Sequence, residues 1–194
     1  MRIAHPDYYS RPVAPFGDAR VNLLIVGLAP GMHGANRTGR PFTGDYAGIL
    51  LYETLHRFGF ASAATSVDVR DGLELRGCRI TNAVKCLPPQ NKPDTSEVRQ
   101  CNGYLRAELD GLAPLTNVLA LGGIAHQAVL MARGLRKPAF PFAHGACHEL
   151  PGDLFLYDSY HCSRYNTQTR RLTAVMFEAV FERICLDIRA RTLG

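Results

Sequence analysis

Short runs rich in branched apolar residues recur along the chain at 21–27, 79–84, 117–121 and 154–157. The run at 21–27 shows no apolar–polar alternation, so it is expected to be a strand buried on both faces, as in a parallel sheet. Between these runs lie stretches with helical spacing. Residues 46–58 follow Asp45, a residue suited to capping a helix start. Residues 95–109 open with Thr95-Ser96-Glu97-Val98, and 124–133 follow Gly122-Gly123. The last helix is expected at 171–190, with Leu172, Val175, Met176, Ala179, Val180, Arg183 and Ile184 on its sheet-facing side. Residues 1–20 are rich in proline and weakly periodic, and read as a strap leading to the first strand. Residues 59–77 hold few signals. Strand–loop–helix units repeated in this way predict an α/β fold, a four-stranded parallel sheet with helices on both faces. The loops at 27–45, 82–95 and 159–170 would all leave carboxyl ends of strands and meet at one edge, where open α/β sheets bind ligands.

The first of these loops contains five glycines and two prolines in nineteen residues, which argues against a regular helix or strand. It also carries Phe42, Asp45 and a hydrogen-bonding group of His33, Asn36, Arg37, Thr38 and Arg40.

Composition adds bounds rather than a function. The 194 residues suggest one domain, and 46% apolar against 20% charged residues fits a globular chain. A net charge of +5 leaves room for a polyanionic partner. No apolar run approaches the ~20 residues of a membrane span, and the first nine residues lack the apolar core of a signal peptide. An intracellular, cytoplasmic protein is expected. Its six cysteines (Cys78, Cys86, Cys101, Cys147, Cys162 and Cys185) are then read as free thiols or metal ligands rather than disulfides.

The shared edge would bring together Asp45, Phe42, Asn82, His161 and several basic residues. An Asn amide suits the edge of a nucleobase, an aromatic ring its face. A carboxylate can orient water or stabilise a cation, and a histidine can donate to a departing anion. Each also has a simpler reading. Asp45 can be only a helix cap, Phe42 core, Asn82 a loop anchor and His161 one of seven histidines. Lys85, Lys92, Arg164, Arg170 and Arg171 can be solvated surface.

Taken together, Gly27-Leu-Ala-Pro-Gly31, the string Asn36 to Asp45, Thr81 to Pro89, and Ser159-Tyr-His161-Cys-Ser163 with Asn166-Thr-Gln-Thr169 and Leu172-Thr173 closely resemble the uracil-DNA glycosylase superfamily. The resemblance is to its fifth family, the type B iron–sulfur enzymes, and covers the chain from about residue 8. It implies a three-layer α/β/α sandwich around a parallel four-stranded sheet. It implies excision of uracil from DNA, and of deaminated purines such as hypoxanthine and xanthine, leaving an abasic site. By the same resemblance Asp45 is catalytic, Phe42 stacks on the base, Asn82 and backbone near Gly31 read it, and His161 supports the leaving base. The 159–170 loop, with Arg164, Asn166, Gln168 and Arg170, would wedge into duplex DNA and flip the damaged nucleotide. Partners are expected to be double- and single-stranded DNA, with the protein monomeric, nucleoid-associated and off the membrane.

Two departures stand out. The family holds a [4Fe–4S] cluster through four cysteines. Cys86 and Cys101 match two of them, and the upstream pair has no counterpart before Cys78, so truncation or a weakly held or absent cluster is expected. Arg170 stands where the family has glycine, which implies a strained backbone or an added phosphate contact. The competing classes are a catalytically impaired nucleic-acid-binding protein on this fold and a small-molecule α/β enzyme. The second lacks a G-x-G-x-x-G or G-x-x-x-x-G-K-[ST] string.

Overall fold

The computed structural model describes residues 5–193. The strands are β1 (Phe16–Gly17), β2 (Leu23–Gly27), β3 (Cys78–Asn82), β4 (Asn117–Leu121), β5 (Cys147–Leu150) and β6 (Leu154–Ser159). The helices are α1 (Ala35–Thr38), α2 (Tyr46–Arg57), α3 (Thr95–Asp110), α4 (Gly123–Ala132), α5 (Arg164–Gln168) and α6 (Ala174–Leu193). The sheet order is β1-β3-β2-β4-β6-β5. The inner four strands are parallel, as the sequence pattern predicts, and each outer strand pairs antiparallel with its neighbour. The sheet is therefore six-stranded rather than four-stranded. Both added strands are too short to show a period of two. β1 lies inside the strap, where a Cβ on Gly17 would collide with the Cys78 carbonyl, so the close pairing needs glycine. The first four residues of that strap fall outside the described residues.

Successive residues of each inner strand point to opposite faces. Leu23, Ile25, Leu119 and Tyr157 join Leu51 and Leu55 of α2 and Phe177 and Phe181 of α6 in one buried cluster. Leu24, Val26, Val118 and Leu156 join Val98, Leu105 and Leu109 of α3 and Ala125 and Val129 of α4 in the other. This makes the three layers, and explains why Leu23–Val26 is continuously apolar.

The helix starts follow local chemistry. Asp45 Oδ1 accepts from the Gly48 N–H at 2.9 Å and caps α2. Asp94 and Glu97 form a reciprocal capping box on α3. The final helix, expected from 171, begins at Ala174 as α6, and the 159–170 loop before it holds a short helix, α5, capped by Ser163. The buried side of α6 is Phe177, Val180, Phe181 and Ile184. Val175, Ala179 and Arg183, expected inward, are exposed, because the packed face is rotated to the one that carries Phe177 and Phe181. The loop at 27–45 likewise contains one helical turn, α1, which ends in left-handed Gly39.

Candidate active site

The register of the inner strands sets out the site. Gly27 pairs with Asn82 and Leu121 with Ser159, so the three loops leave the sheet side by side. They enclose a pocket of about 380 Å³ lined by Gly31, Phe42 and Asp45 from the first loop, Asn82 and Asn91 from the second, and His161 and Ser163 from the third. All five residues expected to act on a base thus share one cavity. Asn91 was not foreseen. Its side chain accepts from the Met32 N–H at 3.1 Å, tying the second loop to the first. Its signal was weak, an ordinary Asn in a proline-rich turn, and its left-handed φ of 57° becomes visible only in the fold.

Glycines create the room. A Cβ on Gly27 would lie 2.6 Å from the Phe42 ring and collide with Asn82 Oδ1, and one on Gly34 would lie 2.5 Å from Asp45 Oδ2. Phe42 is itself held at a left-handed φ of 55°, which turns its ring under the pocket. The ring faces that of His161, with centroids 6.0 Å apart.

Burial controls the two titrating groups. It raises Asp45 above the ordinary carboxylate value of 3.8, and the Gly48 and Ala47 amides offset this only in part. Burial lowers His161 to about 4, so its imidazole is neutral at neutral pH. Asn82 Oδ1 is buried and has no hydrogen-bond partner, an arrangement that awaits a donor in the cavity.

The sequence model of the uracil DNA glycosylase superfamily matches residues 14–185. A type-5 uracil-DNA glycosylase of Thermus thermophilus is 53% identical over 171 residues, covering 88% of this chain and 77% of that protein. A type-5 uracil-DNA glycosylase of Pyrobaculum aerophilum is 43% identical over 180 residues, 93% and 78% of the two chains. A type-4 uracil-DNA glycosylase of the same organism is 36% identical over 143 residues, 73% and 65%.

The chain belongs to the uracil DNA glycosylase superfamily.

Several polar residues around the three loops also hold the scaffold together. Arg40 is buried and ion-pairs with Asp71 at 2.7 Å, while also donating to Ser66 and to the Val69 carbonyl. It thereby anchors the signal-poor 59–77 segment to the first loop. Lys85 is buried against Glu108 at 2.6 Å rather than solvated. On the third loop, Asn166 donates to the His161 carbonyl at 2.8 Å, so this amide positions His161. Arg164, Gln168 and Arg170 are exposed on and after α5. Arg170 adopts a φ of 57°.

The cysteines do not assemble the cluster expected from the resemblance. Cys86 and Cys101 line one groove of about 710 Å³ beside Pro12 and Val13. Desolvation and the neighbouring Cys101 raise the Cys86 thiol. Cys78 and Cys162 are buried in the core, and Cys147 and Cys185 lie on β5 and α6. Among the described residues, then, two thiols share this groove, short of the four a [4Fe–4S] cluster takes. These residues alone do not fit the cluster.

Proposed function

We propose that this protein hydrolyses the N-glycosidic bond of uracil in DNA, leaving an abasic site for repair. The observation that carries the reading is the convergence of Phe42, Asp45, Asn82 and His161 on one base-sized pocket, in a chain 53% identical to a type-5 uracil-DNA glycosylase. Deaminated purines such as hypoxanthine and xanthine are included as substrates, in keeping with a pocket of about 380 Å³. Damaged DNA, double- or single-stranded, is the partner, and the protein acts as a cytoplasmic monomer from one domain.

Phosphate contacts from Arg164, Gln168 and Arg170 hold the duplex. The exposed Tyr165 of α5 presses into the stack as the damaged nucleotide turns out. The base then stacks on Phe42. Asn82 accepts from the base N–H through Oδ1 and donates to a carbonyl through its amide nitrogen. As the glycosidic bond lengthens, positive charge grows on the sugar and negative charge on the base. Asp45, its Oδ1 held by the helix start, places its carboxylate against the developing cation or the attacking water. Neutral His161 donates a hydrogen bond to the departing base without first giving up a charge to solvent.

A duplex with a single uracil, incubated with the protein and cleaved by alkali, tests this. Strand scission is expected, and Asp45→Ala should slow it by roughly 10²–10⁴-fold with DNA affinity retained. Full activity in that variant would remove Asp45 from the mechanism. Intact strands with the parent protein, despite DNA binding, would instead favour the catalytically impaired nucleic-acid-binding reading. Duplexes with hypoxanthine or xanthine in place of uracil define the range.

A further inference from the structure

A second polar cluster lies outside the pocket lining, on the other side of β6. Asp158, near the end of β6, is fully buried, as is His126 of α4, while His148 of β5 is 14% exposed. His126 Nδ1 lies 2.7 Å from Asp158 Oδ1. His148 Nε2 lies 3.4 Å from Asp158 Oδ2, yet both atoms are buried without a hydrogen-bond partner. Two facing orphaned polar atoms in a core are costly, and an ion between them would satisfy both. The tautomer of His126 points the same way. Its Nε2 is 2.9 Å from the Phe140 carbonyl, which only accepts, so Nε2 keeps its proton, and Nδ1, which shares a proton with Asp158 Oδ1, is the nitrogen left to bind an ion once that proton leaves. Metal-ligating histidines are commonly oriented in this manner.

We propose that His126 Nδ1, His148 Nε2 and the Asp158 carboxylate form a site for one divalent transition-metal ion, Zn²⁺ by donor set. All three ligand atoms lie within 4.8 Å of one another. Tetrahedral Zn²⁺ with bonds of 2.0–2.1 Å separates its ligand atoms by about 3.3 Å. The His148–Asp158 spacing already matches, and His126 need open from Asp158 by about half an ångström. Two imidazoles and one carboxylate suit zinc, nickel or cobalt better than magnesium or calcium, which take oxygen ligands. Phe140 and Phe142 place their rings edge-on to His148 and His126 at 5.9 and 5.6 Å and exclude water from two sides. A water completes the fourth position. Binding releases to solvent any proton shared by His126 and Asp158. The ion would join α4, β5 and β6 three residues before His161, so its role is to brace the strand end that presents the leaving-group histidine.

The test uses the purified full chain, stripped with a chelator and titrated with Zn²⁺ by calorimetry and with Co²⁺ by visible absorption. One ion per chain, tetrahedral Co²⁺ bands and a Zn²⁺-dependent rise in melting temperature are expected. His148→Ala should weaken binding at least a hundredfold and abolish the thermal shift. His148→Gln, which retains the side chain's bulk, should do the same if the alanine variant fails to fold. Cys86→Ser with Cys101→Ser should leave the stoichiometry unchanged. No Co²⁺ bands in the parent chain, binding that survives both His148 variants, or binding lost with the cysteines would each overturn the site and leave a hydrogen-bonded triad. None of these readouts depends on uracil excision.

Discussion

Asp45 has two jobs that oppose each other in stability. As a helix cap it satisfies the Gly48 N–H, and as a partly buried carboxylate its charged form is disfavoured. Because its folded value is raised, the destabilisation is present above that folded value and disappears as the pH falls below the ordinary 3.8. Asn caps nearly as well and carries no charge. Asp45→Asn should therefore raise the melting temperature at pH 7 while removing activity, and thermal scans toward pH 3 should show the gain vanish. His161 gives a second expectation. With its value near 4, excision should show no inflection between pH 6 and 8 from this residue. The acid limb should instead lie at lower pH, where Asp45, raised by burial, is protonated and His161, near 4, becomes charged. An inflection near 6.5 that disappears in His161→Asn would contradict the neutral donor.

Among the elements, the turn after α5 carries local backbone strain. Arg170 sits in the left-handed region, where a Cβ costs about 1 kcal/mol relative to glycine. Its position just after α5 explains the need for that angle, since the chain must reverse before α6 at Ala174. Arg170→Gly should stabilise the protein by up to about 1 kcal/mol, read as a higher urea midpoint at unchanged slope. If DNA affinity falls in the same variant, the arginine is retained for a phosphate contact. The 59–77 segment depends on Arg40 in the opposite sense. Asp71 is desolvated, yet Arg40 and the Leu73, Val67 and Asp68 amides outweigh this and bring it down to about 2. Arg40→Ala leaves that carboxylate without its partner and should cost about 3–5 kcal/mol in denaturant unfolding at pH 7. The pair stabilises above the ordinary carboxylate value, so the deficit should shrink as the pH approaches 2.

For the whole molecule, the net charge of +5 predicts DNA binding that weakens steeply with salt. Each neutralised phosphate contributes about −0.9 to the slope of log K against log salt. Arg164 is exposed beside the pocket's third loop, with its guanidinium 5.7 Å from the Tyr46 ring. Arg164→Ala should flatten that slope by about one and weaken all duplexes alike, measured by fluorescence anisotropy on uracil-containing and undamaged DNA. The same scale frames the proposed metal brace. It would tie the sheet's last two strands to α4 on the flank of the loop that carries His161.

Much of this protein was legible in its residues because the relevant physics is local. The stretch Leu23–Val26 of β2, buried on both faces, had to be continuously apolar. Asp45 marked the start of α2 through a bond that spans three residues. The first loop's glycines argued against a regular element there, and the family resemblance pointed to Phe42, Asp45, Asn82 and His161. What required the fold was everything set by contacts between distant segments. β1 and β5 are too short to show a period, and exist because a neighbouring strand offers its edge. Arg40 and Lys85 look like surface charges until Asp71 and Glu108, far along the chain, bury them. Val175 reads as core until the rotated packing face of α6 leaves it in solvent. Asn91 enters the pocket only through the loop packing that lets it accept from Met32. His126, His148 and Asp158 share no motif spacing, and only the order α4, β5, β6 around one sheet edge sets their donor atoms face to face.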